Sequence, residues 1–172
     1  MSELVYRLCR YTAWFAGVVV AALAVLSVVS IAGRALSGFG LRPVPGDFEL
    51  VEAGTALAVF CALPWCFLVR GHATVDIFWE ALPQRLRAFI EAGTSLLMLA
   101  IWVLLSWRMG IATVEHHASG ETTFILGMPL WWGYAASLPP AVIGCVAYAW
   151  RALEVLGLVL PPEGFAQGGA AR

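Results

Sequence analysis

The chain has 172 residues, of which 61% are hydrophobic and 12% are charged, and its formal net charge is −1. Soluble domains carry about 25% charged residues, roughly twice this fraction. The composition therefore predicts an integral membrane protein. It excludes a nucleic-acid-binding protein, because no basic stripe is available to neutralise phosphates. The length is that of a single domain.

Long uncharged runs predict four transmembrane helices. The first run covers residues 11–33, which is about 34 Å of helix and longer than the apolar core of a cleaved signal peptide, about 7–15 residues. The later predicted spans are residues 53–69, 89–107 and 129–150. We expect Pro64 to kink the second span, Pro139-Pro140 to interrupt the fourth, and Trp102 and Trp107 to lie near the interface reached by the third.

Polar segments separate these spans. Residues 34–52 contain helix-breaking Gly and Pro, and Asp47 stands where an N-cap would begin the second helix. Glu49 and Glu52 follow in its opening turn, where the helix dipole favours acidic groups. Residues 108–121 are predicted to form a polar loop.

Residues at both ends of the fourth span extend this scheme. The uncharged run begins at Thr122, so residues 122–129 are predicted to be an interfacial or re-entrant lead-in. Residues 1–160 then form one four-helix membrane domain. The Gly/Ala-rich tail, residues 161–172, is predicted to be disordered.

The connector between the second and third spans, residues 70–88, is the longest charged interruption in the chain. Apolar and charged residues alternate along it, which is typical of an amphipathic helix lying in the membrane interface, with Trp79 as an aromatic anchor. Pro83 is expected to split this helix into two pieces.

Four spans place both termini on one side of the membrane. With that side cytoplasmic, its segments hold seven of the ten Arg residues: Arg7, Arg10, Arg70, Arg85, Arg87, Arg151 and Arg172. The opposite loops hold Arg34, Arg42 and Arg108. The positive-inside rule therefore favours an N-in, C-in topology.

Small residues recur every four positions in the first two spans, as Ala13, Gly17 and Ala21 and as Gly54, Ala58 and Ala62. Each set gives a smooth stripe that another helix can approach closely. No ionisable residue lies in the middle of a predicted span, although transport sites usually contain one. The pattern indicates a partner subunit, and not the subunit that moves a charged substrate.

Other residues allow alternative readings. His116 and His117 lie beside Glu115 and Glu121, which keeps open a small membrane enzyme or the haem- or quinone-binding anchor of a redox complex. Against a metal site, adjacent His side chains on a helix point about 100° apart and the HExxH spacing is absent. His72 and Asp76 would share a helical face, but two ligands do not make a zinc site. Four Cys residues with no CxxC pair predict neither a disulfide nor a metal.

Several motifs resemble the small membrane subunit of tripartite ATP-independent periplasmic (TRAP) transporters, the DctQ-like family. The connector carries Arg70-x-His72-x-x-Val75-Asp76, followed by Leu82-Pro83-x-Arg85-x-Arg87. Further matches are Arg34, the acidic segment 46–52, and Met128-Pro-Leu-Trp131-x-x-Tyr134-x-x-x-Leu138-Pro139. Two features depart from the family pattern: Ala73 replaces a branched apolar residue, and the acidic pair of the second span is spread out.

The resemblance implies a non-catalytic subunit, without a cofactor, in the bacterial inner membrane. Its partners would be a large DctM-like membrane subunit and a periplasmic DctP-like binding protein, for sodium-coupled uptake of carboxylates or related organic anions. We expect Arg70, His72 and Asp76 to fix the connector, and Arg85 and Arg87 to meet lipid headgroups. Glu49 and Glu52 are expected to shape the periplasmic face.

Overall fold

Four α-helices make up most of the part of the chain that the structure describes. The computed structural model describes residues 2–69 and 83–159; the predicted connector residues 70–82 and the predicted tail lie outside these ranges. The helices are α1 (Ser2–Ala35), α2 (Asp47–Leu68), α3 (Gln84–Ser119) and α4 (Trp131–Val155), and a short 3-10 helix covers Ser37–Phe39. One isolated β-bridge pairs Thr122 with Pro129. The predicted all-helical class is confirmed.

Three of the helices are long and apolar enough to cross a membrane, over Glu3–Ala35, Asp47–Leu68 and Leu86–Ser119. Among the described residues α4 does not reach that hydropathy, since it contains several Trp, Tyr and Pro residues. The fourth span and the N-in, C-in topology therefore stay predictions.

The third helix extends beyond the predicted membrane span at both ends. α3 begins directly after Pro83, so residues 84–88 belong to this helix and not to a separate interfacial connector. The loop predicted for residues 108–121 is wrong as far as Ser119, where the helix ends before Gly120 at φ 67°. The reason is that the shielded positions begun by Trp102 and Ser106 continue at helical spacing beyond residue 107, at Met109, Thr113 and His116. Arg108 and Glu115 lie on the exposed face and do not break the helix.

Proline residues do not end either helix that contains them. α4 continues through Pro139-Pro140, contrary to the predicted interruption, and α2 continues through the buried Pro64. Membrane helices tolerate Pro because neighbouring helices and side chains compensate for the missing backbone hydrogen bonds.

α4 lies at the centre of the bundle. It packs against α1, α2 and α3, and α1 also packs against α2. Within the described ranges, the backbone of α3 comes close to neither α1 nor α2. This arrangement leaves long faces of α1 and α3 exposed, and these faces carry many large apolar side chains.

Stacked aromatic rings fill the space between α2, α3 and α4. The ring of Tyr148 lies 4.9 Å from that of Trp102 and 4.4 Å from that of Phe67, and Phe60 contacts Trp102 at 5.4 Å. Trp102 is only 4% exposed, and its indole N–H donates to the carbonyl of Ala141 at 2.8 Å.

The burial of Trp102 adds to the sequence-based expectation, which concerned only its depth in the membrane. Trp102 lies in the core of the bundle, whereas Trp107, only five residues later, is 69% exposed. A side chain at Gly144 would overlap the Trp102 indole, so the absence of a Cβ there lets the ring reach α4. The ring could not be assigned to the core from hydropathy, because this requires knowing which residue of α4 faces it.

Candidate functional site

Two groups of polar contacts hold the bundle at opposite ends. We call the end that holds the loops 36–46 and 120–130 the loop end, and the end that holds the start of α1 and the last turn of α4 the termini end. Both groups join residues that are distant in sequence, so they fix the order of the helices.

At the loop end, Glu49 binds the connection between α3 and α4. Its two carboxylate oxygens accept hydrogen bonds from the backbone N–H of Ile125 at 2.7 Å and of Leu126 at 3.0 Å. Hydrogen bonds to an ionised carboxylate are stronger than neutral ones. The connection is itself a tight turn, since Thr123 and Met128 exchange hydrogen bonds across it. Glu49 thus ties α2 to the hairpin formed by α3 and α4.

The same contact depends on a glycine. Gly46 precedes α2 with φ 73°, a backbone conformation that favours Gly. A Cβ at this position would overlap the side chain of Leu126. Leu126 can therefore settle against the start of α2 while its N–H reaches Glu49. Beyond it, Phe124 and Ile125 remain exposed at the tip of the turn.

Asp47, the first residue of α2, ties this helix to α1. It accepts a hydrogen bond from the buried Ser30 hydroxyl, and the Arg34 guanidinium lies 3.4 Å from the same carboxylate oxygen. Its other oxygen accepts the backbone N–H of Phe48 at 3.0 Å. The N-cap position belongs to Gly46, one residue before the position expected for it. Glu52, one turn further along α2, is exposed.

The two His residues lie at the interface between α3 and α4. His116 bonds Glu121 through Nδ1 at 2.8 Å and stacks on the ring of Tyr134 at 5.0 Å. The rings of His117 and Trp131 make an edge-to-face contact, with their centroids 4.9 Å apart. Among the described residues, no group of three or more His, Cys, Asp or Glu could hold a metal ion. These contacts make His116 and His117 part of the helix packing.

The termini end has a buried polar cluster that the sequence analysis missed. The Glu154 side chain is only 3% exposed. Its carboxylate accepts a hydrogen bond from the Tyr6 hydroxyl at 3.2 Å and forms an ion pair with the Arg151 guanidinium at 2.9 Å. The cluster joins the first turns of α1 to the end of α4. The i, i+3 spacing of Arg151 and Glu154 was the one available signal, but it does not identify Tyr6, 148 positions away.

The two small-residue stripes have different surroundings. On α2, Gly54 lies against Leu23, and Ala58 and Ala62 belong to a cluster that includes Ala16 of α1. On α1, the buried positions are instead Tyr6, Cys9, Ala16, Ser30 and Gly33.

The predicted α1 stripe points elsewhere. Gly17 and Ala21 are exposed, and Ala13 is only partly buried. This stripe is therefore not the one that contacts α2, and contact with a helix of another chain stays a prediction for it.

Of the predicted connector residues, Arg70, His72 and Asp76 lie outside the described ranges. Arg85 and Arg87 lie in the first turn of α3. The structure therefore brings Glu49 into a defined contact and leaves the role of the connector untested.

Comparison with protein families supplies the assignment. The family model described as the DctQ component of tripartite ATP-independent periplasmic transporters matches residues 23–160, which include α2, α3 and α4. The chain belongs to the DctQ family. Comparisons with curated proteins and with solved structures give no match.

As a DctQ component, the protein is the small membrane subunit of a TRAP transporter. Its apolar helices agree with a membrane protein, and its exposed apolar faces agree with a subunit that has lipid or protein around it. The assignment gives no support to the alternative of an enzyme or redox anchor that uses His116 and His117. The DctQ match also covers both ends of the Glu49 contact.

Proposed function

We propose that this DctQ subunit is a non-catalytic scaffold for the large DctM-like subunit of a sodium-coupled transporter in a bacterial inner membrane. The cargo would be a carboxylate or a related organic anion, delivered by a DctP-like periplasmic binding protein. The family match over residues 23–160 carries this proposal.

The distribution of charge in the described chain supports a scaffold. In α1 and α2, the acidic and basic residues lie within the first or last ten positions, and α3 has none between Glu91 and Arg108. A subunit that moves an ion or a charged substrate usually places an ionisable group inside the membrane. The residues that choose the substrate are therefore expected in the large subunit.

The exposed faces of α1 and α3 support a role in assembly. Both helices carry large apolar side chains that no other described helix covers, among them Phe15 and Val18 on α1 and Leu97 and Leu104 on α3. We propose that one of these faces contacts the large subunit and that the other contacts lipid. Glu49 would present the turn at 121–130 on the periplasmic side, with Glu52 exposed beside it.

The test of this function is native mass spectrometry of the tagged chain, purified in mild detergent from its own host. We expect a large polytopic membrane subunit to be recovered with it in a fixed ratio. A stable lone chain, or a homo-oligomer without such a partner, would contradict the scaffold proposal. The large subunit recovered in this way is where substrate and sodium sites would then be sought.

The connector supplies a prediction about assembly. We propose that Arg70, His72 and Asp76 fix the cytoplasmic connector and that Arg85 and Arg87 meet lipid headgroups. Asp76→Ala should then lower the yield of the complex and the rate of uptake in the same proportion, without changing which substrates are preferred. Glu80→Ala, in the same connector, is the matched control. Unchanged complex yield and uptake in Asp76→Ala would contradict this role.

A further inference from the structure

A groove opens on the outer surface of α1, beside α2. Its volume is about 400 Å³, and it is lined by Arg10, Ala13, Trp14, Gly17, Val18, Ala21 and Trp65. We call it the Trp65 groove. Gly17 has open space where a Cβ would lie, while Trp14, at 68% exposure, stands beside it. Most of the lining surface is apolar.

Among the described residues that line the Trp65 groove, the charged one is Arg10, at one end. Arg10 is exposed, and no carboxylate of the described residues pairs with it. By contrast Arg7, one turn earlier, pairs with Glu3 at 3.1 Å. An exposed cation at the start of an apolar track is complementary to an amphiphile with an anionic head. Trp14 and Trp65 are the residue type that concentrates at headgroup depth in membrane proteins.

The length of the groove matches one leaflet. From Arg10 to Ala21, α1 rises eleven residues, which is about 16 Å at 1.5 Å per residue and about half of the 30 Å hydrocarbon core. Beyond Ala21 the same helical face continues with Val25 and Val28, which are exposed and do not line the groove. A helix of another subunit would cross both leaflets, so a shallow track of this length fits an acyl chain better.

We propose that the Trp65 groove binds one anionic phospholipid. Its phosphate lies against the Arg10 guanidinium, and one acyl chain follows the floor at Gly17 between Trp14 and Trp65. The proposal depends on the N-terminal end of α1 lying at a membrane surface, and it is independent of the substrate and of the transport mechanism. It adds a lipid site to the exposed surface of α1.

The experiment is a lipid titration of the full chain, with any subunit that copurifies, followed by native mass spectrometry. The probes are phosphatidylglycerol and, for comparison, zwitterionic phosphatidylcholine. We expect one phosphatidylglycerol to be retained in preference to phosphatidylcholine. Arg10→Gln should weaken its binding about fivefold, the effect of one lost cation near an anionic headgroup.

A second variant fills the groove without disturbing the fold. Gly17→Leu places a side chain in open space, so helicity by circular dichroism should be unchanged while the bound lipid is lost. Matched controls are Arg7→Gln, which removes a charge from the same end of α1, and Gly93→Leu, which fills open space on α3. Both should retain the lipid.

Two results would overturn the lipid site. One is wild-type affinity for phosphatidylglycerol in both Arg10→Gln and Gly17→Leu. The other is a photo-crosslinker at Val18, a lining residue, that couples to a protein subunit instead of lipid in native membranes. Because lipid retention is read directly, either result leaves the scaffold function to be judged separately by its own copurification experiment.

Discussion

Three acidic residues at the start of α2 lie within six positions, but their side chains have different surroundings. Asp47 contacts α1, Glu49 contacts the turn between α3 and α4, and Glu52 is exposed. The sequence predicts their place in the opening turn from the helix dipole alone. The sequence could not predict which groups donate hydrogen bonds to Glu49. The donors are backbone N–H groups 76 and 77 positions away, and every non-Pro residue has such a group.

The Glu49 contact gives a prediction at the residue scale. Glu49→Gln replaces one acceptor oxygen by an NH₂ group, which cannot accept a hydrogen bond from Ile125 or Leu126. The amide hydrogens of residues 124–127 should then exchange faster than in the wild-type protein. The measurement is hydrogen–deuterium exchange by mass spectrometry in lipid nanodiscs.

Glu52→Gln is the control for this experiment, since it removes the same charge from an exposed position on the same helix. Exchange in the turn should be unchanged in that variant. If both variants accelerate exchange equally, the effect comes from the charge at the start of α2 and not from the hydrogen bonds of Glu49.

At the scale of helices, the positions of the apolar runs were predictable and their ends were not. The uncharged stretch 92–107 identifies α3, but the helix extends through Arg108 and Glu115 because both side chains point away from its buried face. A charge ends the membrane-compatible stretch without ending the helix. The sequence also does not show which helix each small-residue stripe contacts. Gly54 faces α1, whereas Gly17 faces outward, although both occur in the same small-residue pattern.

The junction of α1 with α4 gives the prediction at this scale. Tyr6→Phe removes the hydroxyl that bonds the buried Glu154 carboxylate, leaving Arg151 as its partner in the cluster. The free energy of unfolding should fall by about 1–3 kcal/mol, the cost of leaving a buried polar group without its hydrogen bond. Thermal unfolding in detergent measures this.

Tyr11→Phe is the matched control, because Tyr11 is 70% exposed and removal of its hydroxyl should leave the unfolding midpoint nearly unchanged. A Tyr6→Phe midpoint equal to that of the wild type would show that the cluster does not stabilise the contact between α1 and α4.

For the whole molecule, the open question is whether α4 crosses the membrane. The bundle places the end of α4 beside the start of α1, through Tyr6 and Glu154, and at the opposite end the loops meet through Glu49 and Ile125. Helices that run alongside one another over this length are expected to share the same membrane depth. We therefore predict that both termini are cytoplasmic, in agreement with the Arg distribution.

Reporter fusions test this topology. Green fluorescent protein fused after Arg172 should fluoresce, and alkaline phosphatase inserted after Arg42 should be active, because the first folds in the cytoplasm and the second in the periplasm. An active phosphatase at the C-terminus, together with a dark fluorescent fusion there, would show three crossings instead of four.

The central place of α4 has a consequence for biosynthesis. α4 follows α1, α2 and α3 in the chain, and among the described helices it is the one whose backbone packs closely against α3. At about 5–20 residues per second, the chain between Gly120 and Val155 takes several seconds to synthesise. During that interval Trp102 lacks its carbonyl partner and Tyr6 lacks Glu154. We therefore expect α3 to be held less firmly against the other described helices until α4 has been synthesised, and we expect this intermediate to be more accessible to membrane proteases than the complete bundle.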